Sequence, residues 1–248
     1  MQATDYLERN KEFFDETKKR SGTVYPSTER CLDYSVCEEQ KNARKRITGG
    51  NRMKFTLYTA NCTGNEKNVL YPNQKVITAE ADLKKAISYD HVCAKYQNDT
   101  RGDANFLVSD VVPMDCDNDH SDSPEEWITP QFLADNLCDV AFAVTYSRHH
   151  MLAKGNQSAR PRFHVFFPTI PCNDANSHKA IKQKIHKELP FFDGNALDAA
   201  RFLFGCPSDV FWHEGSLSIE DWLTLMKSNR SIPQGQRNST LSRMAAKL

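Results

Sequence analysis

Two aspartates stand at the polar end of an apolar run. Residues 111–119 read VVPMDCDND, so that one residue separates Asp115 from Asp117. On a β-strand, side chains two positions apart project from the same face, which would place the two carboxylates side by side. Neighbouring carboxylates repel each other unless a cation lies between them, and ligation by oxygen alone suits Mg²⁺ or Mn²⁺. The pair predicts a divalent-metal site, with an acidic strand-to-helix turn as the alternative.

A second polar group lies in residues 159–168, ARPRFHVFFP. Apolar side chains at 163, 165 and 167 would form the core face of a strand, and Arg160, Arg162 and His164 would share the opposite face. Guanidinium groups gathered on one face need an anion, and a triphosphate would serve. The segment therefore predicts nucleotide binding, although a histidine in a strand can equally be structural.

A third segment, residues 191–202, reads FFDGNALDAARF. Asp193 follows an apolar pair and precedes a glycine, so it could be a third metal ligand or only a turn residue. Asp198 and Arg201 are three residues apart and could form a pair on a helix surface. Between the first two segments, Arg148 and Lys154 are candidates for contacts with phosphate or a template strand.

In this order the three segments resemble the archaeo-eukaryotic primase superfamily, which carries an acidic DxD or DxE motif, a small-x-His motif and a hydrophobic-Asp motif. The corresponding residues are Asp115-Cys116-Asp117, Arg162-Phe163-His164 and Phe192-Asp193. The phrases DCDNDHSD, PRFHVFFP and DAARF are most similar to primase-polymerases of phages and integrated mobile elements, over roughly residues 75–210. Position 162 departs from the pattern because it is Arg, and Asp198 also follows an apolar residue, so either Asp193 or Asp198 could be the third ligand.

The resemblance implies an α+β fold, with an RNA-recognition-like antiparallel sheet as core, helices on one face and the site on the other. It implies a DNA primase-polymerase that uses two Mg²⁺ or Mn²⁺ ions, a single-stranded DNA template, a primer strand and (d)NTPs. The expected catalytic residues are Asp115, Asp117, His164 and Asp193, of which the three aspartates hold the metals. Asp119 and Asp198 could support them. The expected nucleotide-binding residues are Arg162, His164, Arg201, Arg148, Lys154 and Arg160.

The chain is expected to contain three parts. Residues 1–54 form a charged, partly helical extension whose basic stretch could be a solvated face or an arm that contacts phosphates. Residues 55–227 form the catalytic domain. Residues 228–248 form a linker and the start of a helical domain, beyond which the resemblance places a C-terminal helicase as a possible partner.

Capping residues and periodicity predict the elements around these segments. Residues 106–117 are expected to form a strand, and Thr129 to cap a helix. Ser177 is expected to cap another helix, and a further one after Ser218 should turn Trp222 and Leu225 inward.

The amino-acid composition excludes few functional classes of protein. The 32 basic and 32 acidic residues cancel, and a neutral total neither favours nor excludes a nucleic-acid partner. The sequence contains neither a run of eighteen apolar residues, which would predict a membrane span, nor a GxxxxGK[ST] phosphate loop. The resemblance places the protein in the cytoplasm of a bacterial host or phage-infected cell.

Two other classes share some of these features. A metal-dependent nuclease or replication-initiation endonuclease would use the same carboxylates with water or tyrosine as nucleophile. A His-hydrophobic-His ligand pair would favour it, whereas His149 and His150 are adjacent. A non-catalytic module that binds single-stranded nucleic acid could stack bases on Phe106, Phe163 and Phe166.

Overall fold

The computed structural model describes residues 53–231, with side chains for residues 53–226. The expected N-terminal extension up to residue 52 and the expected helical start from residue 232 lie outside the described residues. Within the described part, no helix is both long and apolar enough to cross a bilayer. The helices are α1 (Glu80–Ala86), α2 (Pro130–Asn136), α3 (Ala175–Glu188) and α4 (Ile219–Ser231). The strands are β1 (Phe55–Thr59), β2 (Asn73–Ile77), β3 (His91–Val92), β4 (Lys95–Tyr96), β5 (Phe106–Cys116), β6 (Phe142–Tyr146), β7 (Phe163–Cys172), β8 (Phe202–Leu203) and β9 (Val210–His213).

The strands form two antiparallel sheets, and the fold is α+β. One sheet has the order β2-β1-β3-β8 and the other the order β4-β5-β7-β6-β9. In the larger sheet, β7 lies between β5 and β6, and α2 connects β5 to β6. This is a split β-α-β unit followed by α3.

The two faces of the five-stranded sheet have different neighbours. Because side chains alternate along a strand, Val165 and Phe167 of β7 pack in the core formed with the helices, whereas Phe166 packs in a second core with residues of the four-stranded sheet. The predicted core positions of β7 are thereby confirmed. His164 shares the face of Phe166, and Asp115 in β5 lies directly opposite His164. The two side chains therefore lie on the face that the smaller sheet and α1 cover, opposite the core formed with α2, α3 and α4.

Two predicted helix caps have different outcomes. The side chain of Thr129 accepts the N–H of Phe132 at the start of α2, which confirms that cap. The Ser177 cap is wrong, because Asp174 is the capping residue of α3 and its carboxylate accepts the N–H of Ser177 at 2.7 Å. An ionised carboxylate at this position also complements the helix dipole.

The predicted inward orientation in α4 is confirmed for Trp222 and wrong for Leu225. Trp222 is buried, but Leu225 is 39% exposed. The helix begins at the buried Ile219, so its apolar stripe continues through the third, fourth and seventh residues after it. Those residues are Trp222, Leu223 and Met226, all buried.

Candidate active site

Three of the predicted site residues meet at one buried carboxylate. Asp115, near the end of β5, is only 4% exposed. Its Oδ1 lies 2.8 Å from Nδ1 of His164 on the neighbouring strand. Its Oδ2 accepts hydrogen bonds from Nε of Arg201, at 3.1 Å, and from Nη2 of the same guanidinium. The structure thus brings together parts of all three sequence segments.

The charges around Asp115 keep it ionised. Burial alone would raise the pKa of this carboxyl, but His164, Arg201 and the nearby Lys182 outweigh that effect and hold the pKa well below its usual range. A permanent negative charge is what a cation-binding or proton-orienting group needs at neutral pH.

Asp117 lies just beyond β5 and is partly open to solvent. Its side chain is 26% exposed, and Oδ2 lies 3.4 Å from Nζ of Lys154, which is 50% exposed. Asp119 follows on the same turn and is exposed. Asn118 between them is fully buried and adopts a positive φ of 54°, which directs the chain away from the strand.

Asp193 and Asp198 both approach this centre. The N–H of Asp193 donates to the main-chain oxygen of Asp115 at 2.8 Å, while its own carboxylate accepts the N–H of Asn195 as a turn residue would. Burial would lower the pKa of Arg201, but the charges of Asp115, Asp198 and Asp193 raise it. Both candidates for a third ligand therefore lie in the field of Arg201.

Arg160 is buried, and its hydrogen bonds connect two loops. It is 1% exposed, and its guanidinium donates to the main-chain oxygens of Asn118 and Ser121. It also forms an ion pair with Asp122. The group joins the turn after β5 to the segment before β7, and these donors are occupied.

Arg162 has a similar role in the next loop. It precedes β7, so it is not part of the strand as predicted, and it is 1% exposed. Its guanidinium donates to the main-chain oxygens of His149 and Leu152, at 3.2 and 2.8 Å, and to Oε1 of Gln157 at 3.0 Å. Nucleotide binding by Arg160 and Arg162 stays a prediction.

The donor set fits Mg²⁺ or Mn²⁺ in kind, because Asp115 and Asp117 offer carboxylate oxygens. Their present partners are the chain's own cations, Arg201 and Lys154. In the part of the chain that the structure describes, no three His, Cys, Asp or Glu side chains form a ready-made metal cluster. A divalent ion at these carboxylates would compete with the two side-chain cations.

Sequence reasoning missed two polar groups beside the site. Lys182 of α3 is fully buried, and its Nζ donates to the main-chain oxygen of Asp198 at 3.0 Å. Burial lowers its pKa, whereas Asp115 raises it. His91 of β3 is also buried, and burial lowers its pKa to about 4. A signal for Lys182 exists: it is four residues after His178 and three before Ile185, on the buried stripe of α3.

Arg148 does not join the Asp115 cluster through any contact that the structure describes. Its guanidinium instead lies over the ring of Phe204, 3.5 Å from the ring centroid.

No protein-family model matches the chain, and no curated protein matches it. Among solved structures, the chain is similar to the AEP domain of a cyanophage S-2L primase-polymerase, with a TM-score of 0.39 and 11% sequence identity. The match covers 76% of this chain and 96% of that domain.

Proposed function

We propose that this protein is a DNA primase-polymerase that transfers nucleotides from (d)NTPs to a primer or starting nucleotide on a single-stranded template. One observation carries the proposal: an ionised carboxylate, Asp115, is held between His164 and Arg201 at the point where the three motif segments meet. The motif resemblance supports it independently of the coordinates. The arrangement of β5, α2, β6, β7 and α3 supports an RNA-recognition-like core, with the site on the face opposite α2 and α4.

Asp115 and Asp117, with Asp193 or Asp198, would hold two divalent cations. When bound, these ions would activate the 3′-hydroxyl and neutralise charge on the α-phosphate and the leaving pyrophosphate. The fully ionised state of Asp115 and the partial exposure of Asp117 suit this role.

His164 and Arg201 would position the incoming triphosphate. The Nδ1 of His164 is held by Asp115, which fixes the ring and leaves Nε2 as the nitrogen available to a phosphate oxygen. Arg201 is about one-third exposed and can direct a planar pair of donors at a phosphate, as Lys154 can direct its ammonium. Catalysis of this kind depends mainly on positioning and electrostatics.

The test is nucleotide incorporation on single-stranded DNA, with and without an annealed primer, in Mg²⁺ or Mn²⁺. Asp115→Asn and Asp117→Asn keep the side-chain shape and remove the charge, so each should lower incorporation at least about 100-fold. Glu80→Gln is the matched control, because it removes one negative charge on the exposed face of α1. A folded Asp117→Asn protein with normal activity would contradict the metal assignment. A need for primer would separate extension from priming.

A second candidate is a module that binds single-stranded nucleic acid without catalysis. It is favoured by the engagement of both Asp115 oxygens by the chain's own side chains and by the lack of a three-ligand cluster in residues 53–231. It predicts strand binding that is indifferent to Mn²⁺ and to Asp115→Asn, with no incorporation. Cleavage of the template in place of extension would indicate the nuclease.

A further inference from the structure

An aromatic strip flanked by two arginines lies at strand β8 and the residue after it. The strip consists of Arg101, Phe202, Phe204 and Arg148. The rings of Phe202 and Phe204 lie edge to face with centroids 4.8 Å apart. The guanidinium of Arg101 lies 4.7 Å from the Phe202 ring centroid, and that of Arg148 lies 3.5 Å from the Phe204 ring centroid.

The strip lies next to the candidate active site on the opposite side of β8. Arg201 reaches Asp115 and Leu203 is buried between the sheets, whereas Phe202 packs against a different core cluster and remains partly exposed. This alternation follows from the two-residue period of a strand. The loop that supplies Arg148 also supplies Lys154, the partner of Asp117. A ligand on the strip would therefore touch the loop that also reaches Asp117.

The charge of the strip suits a polyanion. Within the described residues, no carboxylate forms a salt bridge with Arg101 or Arg148. Arg148 is exposed, and the hydrogen bond of Arg101 goes to the main-chain oxygen of Ala200. Strand β8 is at the edge of its sheet, so no neighbouring strand of that sheet covers its outer side. Two cations that have no carboxylate partner among the described residues thus lie against two partly exposed rings.

We propose that the aromatic strip binds single-stranded nucleic acid. Bases would stack on Phe202 and Phe204, and backbone phosphates would pair with Arg101 and Arg148. A duplex fits less well, because its bases are stacked on each other and present no free faces. The inference rests on the proposed function only in identifying the bound strand as the template. Of the two contacts that the sequence offered for Arg148, with a nucleotide or with a template strand, it favours the strand.

The experiment is fluorescence anisotropy of the full chain with a labelled thymidine oligomer of about 20 nucleotides, in EDTA, so that binding is independent of divalent metal. Phe204→Leu removes the aromatic face and keeps an apolar side chain, and it should weaken binding about fivefold to tenfold. Arg148→Gln should weaken binding and reduce the dependence of log affinity on log salt by about 0.7. A uridine oligomer should bind similarly, because stacking and phosphate contacts do not depend on the sugar.

Matched controls separate this inference from the proposed function. Phe132→Leu changes a partly buried ring on α2, and Lys75→Gln removes an exposed charge from β2 at the far edge of the same sheet. Both should bind like the unmodified chain, and circular dichroism should show that all variants are folded. If Phe204→Leu and Arg148→Gln bind the thymidine oligomer with the same affinity as the controls, the aromatic strip does not bind the strand. Incorporation that survives Asp115→Asn would overturn the proposed function while leaving the binding result intact.

Discussion

Arg160 and Arg162, immediately before β7, have the same chemistry as Arg148 and Arg201, which lie around β8, but opposite surroundings. Arg160 and Arg162 are 1% exposed and bind main-chain oxygens of irregular segments. Arg201 is about one-third exposed and binds a carboxylate, and Arg148 is exposed on an aromatic ring. Loop carbonyls that no helix or strand satisfies need donors, and a buried guanidinium supplies several at once. The same residue type therefore supports the fold in one region and is available to ligands in the other.

The largest expected effect on stability is in the buried region. Arg162→Met removes hydrogen bonds to His149, Leu152 and Gln157 and leaves these part-buried acceptors without their donor. The expected loss is about 2–4 kcal/mol in the free energy of unfolding, measured by urea denaturation. Added Mn²⁺ or nucleotide should not restore it. If the variant is as stable as the unmodified chain, Arg162 does not stabilise the loop, and it would again be a candidate for nucleotide binding.

The buried His91 should cause a loss in the free energy of unfolding at acid pH that is almost as large as the loss expected for Arg162→Met. The pKa of His91 falls to about 4 in the folded chain, from 6.5 when unperturbed, because burial disfavours the charged ring. Between these two pKa values the unfolded chain binds a proton at His91 and the folded chain does not. The contribution of the neutral ring to the free energy of unfolding is therefore complete above about pH 6.5 and is lost as the pH falls towards 4. At about 1.4 kcal/mol per pKa unit, the expected loss is about 2–3 kcal/mol between pH 7 and pH 4.5.

The measurement is urea denaturation of the unmodified chain and of His91→Gln at both pH values. Gln can keep the hydrogen bond to the main-chain oxygen of Tyr89 and cannot titrate, so the variant should be less sensitive to acid. His178, whose pKa burial also lowers to about 4, should contribute a similar dependence that the variant retains. An unchanged acid response would contradict the assignment to His91.

The smallest expected effect on stability is at Arg201, and it alone should respond to metal. Arg201→Met leaves Asp115 with His164 as its remaining hydrogen-bonding partner at the carboxylate, which should cost about 1–3 kcal/mol in EDTA. Mn²⁺ should bind the freed carboxylate and recover part of this loss, because a ligand that binds only the folded state stabilises it. Thermal unfolding with and without Mn²⁺ is the measurement. Equal responses of Arg201→Met and Arg162→Met to Mn²⁺ would remove the distinction between the two regions.

Local patterns predicted the parts of the structure that local physics decides. The strand predicted over residues 106–117, which ends one residue earlier at Cys116, the Thr129 cap and the alternation along β7 depend on neighbours one to four residues away. The structure confirms the existence of this strand, the cap and the alternation. The pairing of Asp115 with His164 agrees with the expectation that the motif segments meet. The metal and nucleotide roles of these residues stay predictions.

The rest depends on contacts between distant segments. The burial of Arg160 and Arg162 is decided by where two long loops fold back, which a strand pattern does not contain. The second sheet over the site face, formed largely from residues 55–92, was not expected either. Lys182 was missed because a lysine on a helix is usually a solvated residue, whereas here Asp198 and Asp115 provide a partner and a counter-charge.

The hydrogen bonds of Asp115 have a consequence for how the chain folds. They join residues 49 and 86 positions apart in the sequence, His164 and Arg201 respectively. Contacts across such long separations require large loops to close, so they slow folding and tend to form after local elements. An intermediate that has paired β5 with β7 but not docked β8 would contain the first two motifs and lack the Arg201 counter-charge. The Asp115 centre would thus be completed only when β8 docks, and a nascent chain that ends before Arg201 could not assemble it.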